Sequence, residues 1–479
     1  MLFSSMEFIF IFLPVCISVN LLLRGRARNY WLLLCSLLFY AWGEPSFVFV
    51  MIGSIALNYG MALLIERCGN RSGWKKMLLT ADIACNLSVL FIFKYLNFFT
   101  RTVRGWFPGL VPLIPQTSIL LPVGISFFTF QALSYVIDVY RGTKAQKNPF
   151  YLGLYISLFP QLIAGPIVRY GTIANQIENR KITVDGFSEG VLTLIRGFNK
   201  KILLANVLAE VADYAFGTAG ITVGMAWLGA LCYMLQIYYD FGGYSDMAIG
   251  LGKMLGFQFE KNFDYPYISR TVTEFWRRWH ISLGSWFRDY VYFPLGGSRV
   301  KSKALLARNL FVVWLLTGIW HGAEWTFILW GLMYGLLITG EKLGGIPAKL
   351  KSTGHRGIRT IYRMMTLLMV LLGWVLFRAS DLTQAAAYFR TMFGLNHVPL
   401  TDGTLTFYFK DYFSALMAGL LCSTPLFARL KDRLAGKNEK GACAAGTEAA
   451  VWVIQLALFL ISVGALLMGA HNPFIYFNF

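Results

Sequence analysis

A chain of 479 residues that is 56% hydrophobic, 16% aromatic and only 14% charged is too apolar for an ordinary soluble protein, in which about a quarter of residues are charged. Its formal net charge of +19 would suit nucleic acid, but the basic residues stand in short clusters between apolar runs, as in "RGRAR" (24–28), "RSGWKK" (71–76) and "RLKDR" (429–433). Such clusters mark cytoplasmic loops facing anionic lipid, so the composition argues against a nucleic-acid partner and for a polytopic, all-α protein among membrane lipids.

The first apolar run, 7–23, carries its arginines after it rather than before it, the reverse of a secretory signal. It is expected to be a retained first helix with the amino terminus outside. Further runs lie near 30–43, 46–65, 77–98, 119–138, 150–168, 187–205, 223–241, 358–377, 411–428 and 450–469. A span needs about 20 residues, so about eleven transmembrane helices are expected, the shorter ones tilted, broken or paired. The basic loop 67–76 is then cytoplasmic, as is 141–147, and the Ala/Gly-rich loop 434–447 reads as a flexible connector. One membrane domain over 1–479 is expected. The seven cysteines are scattered without a C-x-x-C pair, so neither a disulfide frame nor a metal site is implied.

Four stretches interrupt this apolar plan with chemistry. In "LFPQLIAGPIVRY" (158–170), Pro160, Pro166 and Arg169 suit either a kinked cavity wall or simple helix termination. In "QIYYDFGGYSDMAIGLGKMLGF" (236–257), Gln236, Asp240, Ser245 and Asp246 sit in apolar surroundings. The Gly242-Gly243 pair predicts a broken or re-entrant helix lining a cavity. A plainer reading has both aspartates pairing with arginines such as Arg277.

The third stretch, "TEFWRRWHISLGSWFRDYVYFPLGGSR" (273–299), reads as one amphipathic helix. Trp276, Trp279, His280, Leu283, Trp286, Phe287 and Tyr290 share one face, and Arg277, Arg278, Ser282, Ser285, Arg288 and Asp289 the other. A basic helix at the cytoplasmic interface explains every residue except His280, which sits among the tryptophans. His280 is either a site residue or a satisfied structural one.

The fourth stretch is the most constrained. Basic segments 298–308 and 341–356 flank an apolar run, 309–340, of about 32 residues, too long for one span and with both ends expected inside. A hairpin that turns at "GIWHGAEW" resolves this, with Gly318 and Gly322 freeing the backbone beside His321. Trp320 and His321 would then lie near mid-membrane at a helix break. Intramembrane ionisable residues are functional by default, against the alternative of a core histidine donating to a backbone carbonyl. A desolvated imidazole stays neutral near pH 7 and can take a proton from a hydroxyl attacking a thioester, which is acyl-transfer chemistry. No serine elbow, P-loop or dinucleotide signature competes with it.

Together with "LPVGISFFTFQALSYVIDVYRG" (121–142), "TGIWHGAEWTFILWG" (317–331) and the terminal "PFIYFNF" (473–479), these stretches resemble the membrane-bound O-acyltransferase family, specifically its bacterial branch in alginate and exopolysaccharide O-acetylation. The resemblance implies a ring of tilted helices, with re-entrant and amphipathic helices, around a central tunnel in the bacterial cytoplasmic membrane. It implies His321 and His280 as the active-site histidines; Gln236, Asp240, Ser245, Asp246, Trp320 and Arg169 are expected, from their own placement in the apolar stretches, to line the tunnel. No bound cofactor is implied; acetyl-CoA or another acyl thioester is the expected donor substrate, and a separate extracytoplasmic acetyltransferase the expected partner. Alternatives are D-alanyl transfer to teichoic acid from a carrier protein, and a non-enzymatic lipid or glycan translocator with both histidines structural.

Overall fold

The computed structural model describes the chain apart from Met1, Asn70, 436–441, Ala470, Phe474 and 476–479, and the described residues form helices and no strand. Of the terminal "PFIYFNF", only Pro473 and Ile475 are among them; the middle of the expected connector 434–447 also lies outside, and its end is already helical, in Ala442–Leu467.

Five helices among the described residues are long and apolar enough to cross a membrane: Val48–Arg67, Ser72–Trp106, Lys303–His321, Arg356–Arg378 and Ala445–Leu467. A sixth crossing is Phe413–Cys422 with Leu426–Leu434, if the two, bent by 65°, count as one. The expectation of about eleven full-length spans is therefore met only in part. The first run forms Phe8–Leu22 and the fifth Ile125–Tyr140, both short, while the run at 150–168 divides into Pro149–Ser157 and the single turn Phe159–Leu162. Leu158 stands between those two with an extended ψ of 110°, and Pro160 follows at the second position of the new turn, where its missing N–H costs nothing.

The chain packs as two compact units, Met1–Val191 with Ala248–Glu260, and Leu192–Met247 with Lys261–Phe479. In the first, Asn58 and Asn86 exchange amide hydrogen bonds at 3.1 Å between neighbouring helices, and Phe3, Phe8, Phe39 and Phe159 are fully buried against one another. In the second, the core is a packed set of large rings. Trp276 meets Trp314 at 4.9 Å, Trp330 at 5.3 Å and Tyr334 at 4.9 Å, all edge-on, the arrangement ring quadrupoles favour.

The hairpin expected at 309–340 is present as two antiparallel helices, Lys303–His321 and Trp325–Leu343. Ser302 caps the first by accepting from the Leu305 N–H at 3.2 Å. Each arm has 19 residues, about 29 Å at about 1.5 Å per residue. That matches a hydrocarbon core of about 30 Å, so each arm has the length of a crossing, while among the two only Lys303–His321 is also apolar enough for one.

The glycines work differently from expectation. Gly318 lies inside the first arm, where a Cβ would come 2.5 Å from the Phe327 carbonyl oxygen; one on Gly331 would come 2.5 Å from that of Trp314. The two arms therefore touch backbone to backbone, as small residues allow in membranes. Gly322 is extended (φ −166°), a conformation open to any residue, but its missing side chain leaves room for the Phe327 ring.

Two further expectations fail. Gly242 and Gly243 break nothing: Val223–Met254 is one continuous helix of 32 residues. Gly243 instead lets the backbone of Gly197 approach, a Cβ there falling 2.7 Å from the Gly197 carbonyl oxygen. Conversely, the supposed continuous amphipathic helix after 273 is broken into Val272–Arg278 and Ile281–Phe287.

Candidate active site

The break at Trp279–His280 is built by its surroundings. Thr271 caps the first short helix by accepting from the Glu274 N–H at 3.0 Å. The next two orphan donors, the N–H groups of Val272 and Thr273, are taken at 2.8 Å by the two oxygens of Glu341, a buried carboxylate near the end of the second hairpin arm. Trp279 is then extended, and His280 adopts the left-handed conformation (φ 46°, ψ 55°), uncommon for a residue with a side chain. Such strain persists only where the surroundings over-determine it, and it clusters at functional sites.

His280 is buried to 1% exposure. Its Nδ1 lies 3.2 Å from Asn262 Oδ1 and 3.4 Å from Ser282 Oγ, and its ring packs edge-on to Phe241 at 4.7 Å and Trp320 at 6.0 Å. The helical break also explains why Ser282, assigned to the polar face, is buried.

His321 is the last residue of the first hairpin arm and is 4% exposed. Three rings stand around it edge-on: Trp320 at 4.9 Å, Trp330 at 4.9 Å and Phe377, from Arg356–Arg378, at 5.2 Å. Trp320 thus touches both histidines and joins them in one aromatic enclosure. Next to it opens a cavity of about 320 Å³, lined among others by Gln236, Tyr233, Glu324, Phe327, Phe377 and Ile475. Its ring wall is shared with His321 through Phe377, while Gln236 and Glu324 supply polar groups.

The structure therefore brings His321, His280 and Trp320 together and sets Gln236 in the adjoining cavity. The other expected tunnel residues have different surroundings. Asp240 forms a buried ion pair with Lys201 at 2.5 Å and accepts from the Ile475 N–H at 2.9 Å; Lys201 also donates to the Pro473 carbonyl. Asp246 pairs with Lys200 at 2.6 Å. The aspartates thus do pair with cations, but with lysines from the segment 200–206 and not with Arg277. Ser245 is buried on the same helix, its hydroxyl without a hydrogen-bond partner among the described residues. Arg169 belongs to the first unit, at the boundary preceding Tyr170–Asn179.

Sequence reasoning missed Asn262, Glu341, Phe377 and Lys201. Only Lys201 left a signal, as half of a lysine pair inside an apolar run. The polar loop holding Asn262 gives no hint of what it faces.

A helical multi-pass membrane protein with two histidines in one buried aromatic enclosure is the class that fold and site define. The profile of MBOAT, the membrane-bound O-acyltransferase family, matches residues 147–362. The chain is 39% identical to the probable alginate O-acetylase of Pseudomonas aeruginosa, with both chains covered in full. It is 34% identical to the peptidoglycan O-acetyltransferase of Helicobacter pylori, over 84% of this chain and 81% of that one. With the teichoic acid D-alanyltransferase of Bacillus subtilis the identity is 30%, over 48% of this chain and 60% of that one. The chain belongs to the membrane-bound O-acyltransferase family, and it is an O-acyltransferase. That decides against the non-enzymatic translocator.

Proposed function

We propose that the protein moves an acetyl group from a cytoplasmic thioester donor such as acetyl-CoA across the bacterial cytoplasmic membrane, for O-acetylation of an extracytoplasmic polysaccharide such as alginate. A separate extracytoplasmic acetyltransferase completes the transfer to the polymer. The single observation that supports the chemistry is the shared enclosure: Trp320 contacts both His280 and His321, as a reaction space served by two imidazoles requires. In that space an acceptor hydroxyl oxygen bonds to the thioester carbonyl carbon, His321 takes the hydroxyl proton, and the C–S bond breaks. The proton then passes to the departing thiolate, leaving an acetyl ester and a free thiol. His280 orients the reactants. Gln236 lines the acceptor side of the passage, in a ring of tilted helices about a tunnel.

The acetyl group is favoured over D-alanine because full-length similarity runs to an acetylating relative, whereas the D-alanyl relative matches about half of this chain. The test is the O-acetyl content of exported polysaccharide in cells lacking this chain, with and without its restoration. Acetylation is expected to be abolished and restored in step with the gene. Undiminished O-acetylation in its absence would overturn the proposal.

The orientation that goes with this reading places the amino terminus outside and both basic ends of the hairpin inside, including Arg299, Lys301 and Lys303 before it and Lys342, Lys349 and Lys351 after it. Single cysteines at Ser302 and Ser352, in a background lacking the seven native cysteines, are expected to resist an impermeant thiol reagent on intact cells. Both should react once the membrane is opened. Labelling of either from outside would reverse the topology.

A further inference from the structure

Which nitrogen of His280 carries the proton is decided by its neighbours. The short helix Ile281–Phe287 begins directly after His280, whose own side chain caps nothing, so its first backbone donors need acceptors from elsewhere. Asn262 supplies two. Its carbonyl oxygen accepts from the Ile281 N–H at 2.9 Å, and its side chain faces the Ser282 N–H at 3.2 Å. A backbone N–H only donates, so the amide atom turned toward it is the oxygen; the reversed amide would set an NH2 group against an N–H.

That same Oδ1 is the atom 3.2 Å from His280 Nδ1. The Ser282 hydroxyl sits closer to Oδ1, at 2.9 Å, than to the ring nitrogen, at 3.4 Å, and donates to Oδ1. A bare Nδ1 would then oppose the lone pairs of two oxygens.

We infer that Asn262 locks His280 in the tautomer protonated at Nδ1, so that Nε2 presents its lone pair to a hydrogen-bond donor on the substrate. Asn262 is a positioning residue, acting through the imidazole. Nε2 has no hydrogen-bond partner among the described residues, although the ring is 1% exposed. A buried acceptor in that state is costly unless a ligand group completes it. The groups packed on the ring are Phe241 from the long helix, Phe263 from the loop before the break and Trp320 from the hairpin, with Asn262 and Ser282 at Nδ1; none of these is charged. The orienting partner that fixes a histidine's tautomer is here a neutral amide rather than a carboxylate, which keeps the imidazole neutral. The inference rests on the reading of His280 as a site residue.

The test is nitrogen-15 NMR of the full-length protein, labelled at histidine and held in lipid nanodiscs. The pair of signals lost in His280→Ala identifies this ring. In the unaltered protein that pair is expected in the Nδ1-protonated pattern. Asn262→Asp, which keeps an acceptor oxygen, should keep the proton on Nδ1. Asn262→Leu should lose that pattern, with acyl transfer falling at least about ten-fold. An Nε2-protonated pattern in the unaltered protein would overturn the inference, as would an Nδ1-protonated pattern surviving in folded Asn262→Leu. Should Asn262→Leu fail to fold, the spectra of the unaltered protein and Asn262→Asp decide alone. If His280→Ala kept full activity while the Nδ1 pattern held, the tautomer assignment would stand and the role of His280 in turnover would fall.

Discussion

His321→Ala is expected to lower acyl transfer by about a hundred-fold to ten-thousand-fold, the range contributed by a positioned general base, while the protein remains folded in the membrane. Folding should survive because the rings around the imidazole are held by one another. Trp330 packs on Tyr334 at 5.2 Å and on Phe377 at 5.2 Å, and Phe377 on Trp374 at 5.5 Å, none of which involves His321. The hairpin is joined by the Gly318–Gly331 approach, close to the histidine in sequence but made by backbone alone. His321→Gln separates a base from a structural hydrogen bond, since an amide replaces the bond and cannot take the proton. It should be as inactive as His321→Ala. High activity in the glutamine variant, or loss of the protein from the membrane in the alanine one, would remove His321 from the chemistry. His280→Ala should cost less, because an orienting group leaves the proton acceptor in place. Equal losses with no further loss in the double variant would mean that the two act as a unit.

Lys201→Met is expected to destabilise the second unit by about 3–5 kcal/mol, the cost of leaving a buried charge without its partner. The side chains of Lys201 and Asp240 are only 3% and 2% exposed, so solvent cannot take over when the lysine is removed. The double variant Lys201→Met with Asp240→Leu should be more stable than the single one. Its remaining cost is the acceptor lost to the Ile475 N–H, about 1–3 kcal/mol, and the carbonyl contact at Pro473. Thermal unfolding of the detergent-solubilised protein measures both. A double variant less stable than Lys201→Met would show that the two charges do not support each other. Because the pair also holds Pro473 and Ile475 at the cavity wall, Lys201→Met should lower activity too, through the cavity rather than through either histidine.

The amino-acid sequence by itself determined the properties that depend on local composition. Apolar length and the placement of arginine and lysine mark a helical membrane protein, and the basic ends of 309–340 require a hairpin. His321 could be placed at its turn because the turn must fall near the middle of that run, where an ionisable side chain is costly to keep unless a site uses it. What only the tertiary structure decided were the departures from local preference. Gly242-Gly243 reads as a helix break, yet the missing side chain at Gly243 is used for contact with Gly197, a partner 46 positions away. The periodicity of 273–290 reads as one helix, yet Asn262, Glu341 and the aromatic packing hold Trp279 and His280 out of it. Asp240 reads either as a tunnel group or as half of an ion pair with an arginine, and the tertiary structure supplies Lys201 as its partner. Helix propensities are worth fractions of a kcal/mol per residue, whereas a buried ion pair, a satisfied helix end or a backbone contact carries several times that, and each depends on residues distant in sequence.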